Sequence, residues 1–307
     1  MFSRRSILAA ILVAPLCATG LASSATAEEI TITHAQGETT LPARPDKVLV
    51  FDVASLDTLD ALGVEVQGVP TAKYPQHLAK FGTDDYSKVG SLFEPDYEAV
   101  SAAEPDLIIV GGRSSPKYND LAKLAPTIDL TVDQDDFVAS AKDNVRTLAK
   151  IFGKEAEADA KLQALDASIK VARDAAADAG KGLIVLTTGG KMSAYGPGSR
   201  FGVLYSDYGV QPARTDLDTA NHGQAASFEL ILETNPDWLF VIDRDAAIGR
   251  EGEAAAQFLD NELVAQTTAW KEDQVVYLNS ANWYLVGGGL TAMQQNADQI
   301  AKALSKR

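Results

Sequence analysis

A chain of 307 residues with one cysteine, three histidines and a formal charge of −15 lacks the thiols for a disulfide framework and the basic surface that nucleic acid or anionic lipid would need. So few histidines and thiols also argue against a zinc or manganese centre, which gathers several such ligands.

The N-terminus runs Met1 to Arg5 with two arginines, then apolar from Ile7 to Leu16, then small and polar to Ala25-Thr26-Ala27. That succession is a secretory signal peptide over residues 1–27, cleaved after Ala27, with an apolar stretch too short to cross a bilayer. Arg4-Arg5 in Ser3 to Leu8 also fits a twin-arginine signal, and the general export route stays equally open. Cys17 follows Leu16, a poor lipobox because the residue before the cysteine should be small. Cleavage removes Cys17 and both arginines, so the mature chain holds no cysteine, forms no disulfide and carries a charge of about −17. No later stretch approaches transmembrane length, and a soluble, exported protein stabilised by packing is expected.

After a short strand-like start from Glu29 to His34, Lys47 to Phe51 predicts a buried strand, and Ser55 to Leu62 a helix ending at Gly63. Tyr97 to Ala103 predicts a helix that Pro105 stops, and Leu107 to Val110 a strand covered on both faces. Phe137, Ala141, Val145, Leu148 and Phe152 recur at helical spacing up to Gly153. Leu162, Leu165, Ile169 and Ala172 continue it to about Ala179, before Gly180. This alanine-rich stretch near the midpoint predicts a long helix joining two α/β halves.

The second half repeats the first. Lys181 to Leu186 predicts a strand, Phe228 to Leu232 a helix, and Trp238 to Val241 another strand. At a constant offset Tyr97 falls on Phe228, Glu98 on Glu229, Pro105 on Pro236, Asp106 on Asp237 and Val110 on Val241. The same register carries Arg113 onto Arg244. The predicted organisation is an N-terminal lobe over 28–153, a connecting helix over 154–180 and a C-terminal lobe over 181–307. Each lobe is expected to hold a mainly parallel sheet flanked by helices, with a ligand cleft between the lobes.

Ligands of parallel sheets gather beyond the carboxyl ends of the strands, where Arg113 and Arg244 fall. Each could equally be a solvated loop arginine, and Asp243 and Asp245 offer Arg244 local partners. A glycine-rich segment, Tyr195-Gly-Pro-Gly-Ser-Arg200-Phe-Gly202, precedes a helical pattern from Phe201 to Tyr208. It suggests backbone amides and Arg200 turned towards an anion, although it is neither a phosphate-binding P-loop nor a dinucleotide fingerprint.

With the Pro-Asp-strand unit in both halves, the Gly-Pro-Gly-Ser-Arg segment, Asn221-His222-Gly223 and Asn282-Trp283-Tyr284, the chain resembles the class III periplasmic binding proteins of iron-siderophore ABC importers, in their catecholate-binding branch. The resemblance covers nearly the whole mature chain. It implies that Arg113, Arg200 and Arg244 form a cationic triad under an anionic ferric complex. It implies too that His222 and Tyr284 ligate Fe(III) when the siderophore supplies only four donors. Glu98 and Glu229 would be the carboxylates, one per lobe, presented to the inner-membrane permease and its ATPase. The Fe(III)-siderophore is then cargo rather than a permanent cofactor, and the protein a periplasmic monomer and no enzyme. Elementary chemistry agrees: Fe(III) prefers six oxygen-type donors, and two catecholates leave two positions for a phenolate and an imidazole. Other readings remain at this point. A loop imidazole, a packed aromatic and two acids at helix N-termini would serve structure alone. The ligand could instead be haem, a cobalamin or a hexadentate siderophore. An exported hydrolase using His222 is a weaker reading, because no nucleophile elbow or metalloprotease motif occurs.

Overall fold

The computed structural model describes residues 29–305. The signal peptide expected over residues 1–27, the choice of export route and Cys17 lie outside the described residues. Among the described residues no helix is long and apolar enough to cross a membrane.

An antiparallel pair, β1 (Ile30–His34) and β2 (Gly37–Leu41), precedes two larger sheets. The first contains β3 (Val48–Val50), β4 (Gly68–Thr71), β5 (Ser87–Ser91), β6 (Leu107–Val110) and β7 (Thr127–Asp129). All are parallel, in the order β5-β4-β3-β6-β7. The second contains β8 (Lys181–Thr188), β9 (Lys191–Tyr195), β10 (Gln211–Pro212), β11 (Gln224–Ala226), β12 (Trp238–Asp243) and β13 (Val275–Tyr277). Its order is β11-β9-β8-β12-β13, with β10 beside β8. Strands β8, β10, β12 and β13 are parallel, whereas β9 runs antiparallel to both its neighbours, β8 and β11. The mainly parallel α/β architecture expected from the sequence is what forms.

The repeated unit has a physical cause in both halves. The Tyr97–Ala103 helix is capped by Asp96, and the Phe228–Thr234 helix by Ser227. Each ends on a left-handed residue, Glu104 at φ 46° and Asn235 at φ 41°, and proline follows to stop it. The aspartate after the proline then fastens the neighbouring strand. Asp106 accepts from the amides of Asp46 (3.0 Å) and Lys47 (2.8 Å), ahead of β3. Asp237 accepts from the Lys181 amide at 2.7 Å, at the start of β8. One local sequence therefore starts two strands at once, which fixes the register of both sheets.

The first half ends with the helix Phe137–Phe152, and after Gly153 in the left-handed region the 22-residue helix Glu155–Ala176 leads to the second. At 1.5 Å per residue the 22-residue helix is about 33 Å long. The helix Leu290–Leu304 lies along it and against the first-half helix Val53–Ala61. One apolar core runs without a break from Val50 and Leu56 through Leu148 and Leu165 to Ile184, Trp283 and Met293.

Candidate functional site

Arg113 stands just past β6, in a turn opened by Gly111 and Gly112. The Gly112 amide donates to Thr131 Oγ1 at 2.9 Å, and a side chain at Gly111 would collide with buried Asp52. Arg244 begins the short helix Arg244–Ile248 directly after β12. Its acidic neighbours are engaged elsewhere. Asp243 accepts from the amides of Ala246 and Ala255, and Asp245 from the Gly189 amide and the Thr188 hydroxyl. Asp245 lies only at the 4.0 Å margin of an ion pair with Arg244. Arg244 is therefore not consumed by local pairing.

Arg200 follows the glycine-rich loop after β9. Two of that loop's amides are engaged within the loop itself. Ser199 donates its amide to the Gly196 carbonyl, and Gly202 to the Ser199 carbonyl, while the helix that follows is a single turn, Val203–Ser206. Turn closure takes these two donors, and the loop sends the Arg200 side chain to Tyr284.

All three guanidiniums converge on Tyr284, which sits in the π-helical turn Asn282–Val286. Arg113 and Arg200 both donate to its backbone carbonyl, at 2.7 and 2.6 Å. Arg244 Nε donates to its phenol oxygen at 2.7 Å. The guanidinium carbons lie 5.1, 4.4 and 5.4 Å from the ring centroid for Arg113, Arg200 and Arg244, within cation–π range. Cations from opposite halves thus meet around one aromatic ring.

Beside this cluster opens a cavity of about 630 Å³. Arg200, Arg244, Tyr284 and His222 all line it. His222 lies in the exposed turn before β11, closed by the Gly223 amide on the Ala220 carbonyl. The floor follows from strand register: Leu186 opposes Ser193 and Thr188 opposes Lys191, placing these four side chains on one face of the β8–β9 hairpin. Met192, Phe228 and Phe258 add apolar wall, the two rings 5.1 Å apart. Every lining residue belongs to the C-terminal half, and Arg113 reaches the site from across Tyr284. Lys191, Tyr195, Phe228 and Phe258 are site residues that the sequence reading did not single out.

Crowding shapes the electrostatics. Burial, and next the charge of Arg113, make Arg200 a weaker base than an ordinary arginine, although it stays charged at neutral pH. Burial pushes the Tyr284 phenol up, but the Arg244 hydrogen bond and the charges of Arg200, Arg244 and Arg113 outweigh it and hold the phenol below the ordinary tyrosine value. Burial raises the neighbouring Tyr195 phenol. The site therefore offers an acidified phenol, an imidazole and converging positive charge beside a cavity of ligand size. A partly desolvated guanidinium attracts an anion 4 Å away by about 4 kcal/mol at an effective dielectric of about 20.

Glu98 and Glu229 lie away from this site, both exposed at the first turns of their helices. A hydrogen bond from the Ser227 side chain holds the Glu229 carboxyl below its ordinary value. No ion pair engages either acid among the described residues.

Comparison with known proteins places this geometry. The family described as periplasmic binding protein matches residues 48–281. The petrobactin-binding protein YclQ of Bacillus subtilis is 43% identical over 284 residues, covering 91% of this chain and 89% of that protein. Its crystal structure superposes with a TM-score of 0.88, over 91% of this chain and all of that one. The ferric-anguibactin-binding protein FatB of Vibrio anguillarum is 33% identical over 279 residues, 89% of this chain and 87% of that protein. The periplasmic catecholate-siderophore binding protein VctP of Vibrio cholerae superposes with a TM-score of 0.83 at 36% identity, over 89% of this chain and 99% of that one.

Proposed function

The chain belongs to the periplasmic binding protein family, and from that membership we propose that it captures an anionic ferric siderophore of the catecholate type and delivers it to an ABC importer. The observation that carries this reading is the meeting of Arg113, Arg200 and Arg244 on Tyr284, beside a cavity that His222 also lines. A ferric bis-catecholate carries net negative charge and leaves two coordination positions vacant. The guanidiniums offset the charge, and Tyr284 and His222 supply the phenolate and imidazole for the open positions. Relatives named for petrobactin, ferric anguibactin and catecholate siderophores support the ligand class. The protein acts outside the cytoplasm, in the periplasm after removal of its signal peptide, and carries the iron complex as cargo.

Titration with a ferric bis-catecholate tests the reading. Trp283 is buried next to Tyr284, with its ring edge-on to Tyr208 at 6.0 Å. Its fluorescence should be quenched with a Kd of about 1 μM or tighter, and the visible charge-transfer band of the complex should shift. Absence of both, with turnover of an ester or phosphoester instead, would replace capture by hydrolysis.

Glu98 and Glu229 are the docking carboxylates of this proposal. The Glu98 helix is approached by exposed Phe93 and Tyr97, 57% and 37% accessible, which would add apolar contact to the acidic one. Changing both glutamates to alanine should slow uptake in cells about tenfold, the size expected from two rim charges, and leave ligand affinity unchanged. Uptake at the wild-type rate would leave the two acids with their helices alone.

A further inference from the structure

The run Gly287-Gly-Gly289 follows Tyr284 in sequence yet lines no part of the cavity. Its purpose lies on the other side. A Cβ on Gly287 would meet Phe137 at 3.5 Å, one on Gly288 would lie 2.7 Å from Val132 Cγ2, and one on Gly289 2.5 Å from Asp57 Oδ2. All three neighbours belong to the N-terminal half. The glycines permit a close approach of the Tyr284 segment to that half, an approach any larger residue would block at the last two positions.

Asp57 makes the contact specific. It sits within the Val53–Ala61 helix with no exposed surface. Its Oδ2 accepts from the amides of Thr291 (2.7 Å) and Ala292 (3.2 Å), while His77 Nε2 lies 2.6 Å from Oδ1. The adjacent Thr58 hydroxyl accepts from the Leu290 amide at 3.3 Å. These are the first amides of the Leu290–Leu304 helix, whose own N-cap is Gly289 and has no side chain to cap them. A carboxylate of one half therefore caps a helix of the other. From that helix the chain is tied back to the tyrosine turn, the Gly289 amide donating to the Val286 carbonyl at 2.6 Å.

We infer that Asp57 is a positioning residue for ligand capture: by capping the C-terminal helix across the seam, it fixes the turn that carries Tyr284 and so the spacing of Arg113 against Arg200 and Arg244. The inference rests on the proposed role of Tyr284 in holding the ferric complex. Asp57 touches no ligand and acts only through the geometry of that turn.

The test uses three variants of the full chain. Asp57→Ala removes the cap and should weaken binding of a ferric bis-catecholate about tenfold while shifting its charge-transfer band. Asp57→Asn keeps an acceptor for the amides and should stay within about threefold of wild type. Gly289→Ala, which leaves the carboxylate in place but pushes against it, should reproduce the loss and the band shift. A ligand-free readout runs alongside. The phenol of Tyr284, identified by its absence in Tyr284→Phe, should titrate at higher pH in Asp57→Ala and Gly289→Ala, because its guanidinium neighbours have moved. Folded variants with the wild-type band and phenol titration overturn the inference. So does a loss of affinity that moves neither signature, which would make Asp57 a structural residue only. If Asp57→Ala fails to fold, Gly289→Ala decides by the same criteria. A wild-type protein that neither shifts the charge-transfer band of the complex nor has its fluorescence quenched by it sinks the proposed function, while the phenol titration still decides whether Asp57 positions Tyr284.

Discussion

Arg200→Met should weaken binding of a ferric bis-catecholate about a hundredfold and raise the melting temperature of the ligand-free protein by about 1–3 °C. The two effects share one cause. Arg200 is half-buried beside Arg113, with a donor turned to the Tyr284 carbonyl and its guanidinium over the Tyr284 ring. Its folded-state proton affinity is depressed by burial and by Arg113. At any pH below both the folded and unfolded values the charge is present in each state but less comfortable in the folded one, so at neutral pH it opposes folding. Methionine keeps an apolar stem of similar reach and removes the charge. The Tyr284 carbonyl is not orphaned, because Arg113 still donates to it at 2.7 Å. Binding loses a desolvated, charge-assisted contact of about 2.7 kcal/mol, which is the hundredfold. Calorimetric melting and fluorescence titration of the same sample check both halves. Unchanged affinity removes Arg200 from the site, and a lowered melting temperature shows that its contacts with Tyr284 outweigh the crowding.

What could be read from sequence was what is local. The repeat at Tyr97 and Phe228 was legible because cap, proline and aspartate each act on backbone within a few residues, and the aspartates then fasten a neighbouring strand. Arg113 and Arg244 were legible for the same reason, as residues one short step beyond paired strands. The β8–β9 hairpin was not drawn, although Gly189 and Gly190, at φ 53° and 69°, are the residues a type I′ turn demands. Lys191 to Ala194 alternates polar and apolar residues, but over a stretch too short to mark a strand without the turn. The Leu290–Leu304 helix likewise escaped, despite Leu290, Met293, Ala297, Ile300 and Leu304 at helical spacing.

The site itself is mostly long-range. That Arg113 and Arg200 share one carbonyl acceptor follows from how two sheets are set against a common helix, and no spacing along the chain encodes it. Phe258 enters the cavity wall from a four-residue helix, Ala255–Phe258, whose pairing with Phe228 is equally remote in sequence. The glycine-rich loop was legible only in part. Gly196 to Gly202 has the composition of an anion cradle, yet its Ser199 and Gly202 amides close turns within it, and Arg200 is its residue at the cavity. Composition reports which conformations are open to a loop, not where its donors end up.

Tyr284→Phe should cost about a hundredfold in affinity for a tetradentate ferric complex and less than about threefold for a hexadentate one, with a shift of the charge-transfer band in the tetradentate case. The substitution isolates one oxygen. The ring survives, so the cation–π contacts of all three arginines survive with it, and the backbone carbonyl still receives Arg113 and Arg200. Only the phenol oxygen, bonded to Arg244 Nε at 2.7 Å, is removed. A complex with six siderophore donors has no vacancy for that oxygen and should not notice its loss. A complex with four does. The pH dependence separates ligation from mere contact. Coordination displaces the phenol proton, so affinity of the preformed complex should climb about tenfold per pH unit while the free phenol is protonated, and level off once it is ionised. Because the arginines hold that phenol below the ordinary tyrosine value, the levelling comes at lower pH than for a free tyrosine. In the phenylalanine variant this component of the slope should vanish. If wild type and variant show the same slope and the same spectrum, Tyr284 organises the arginines without touching the iron, and the open positions on the metal must be filled by other donors.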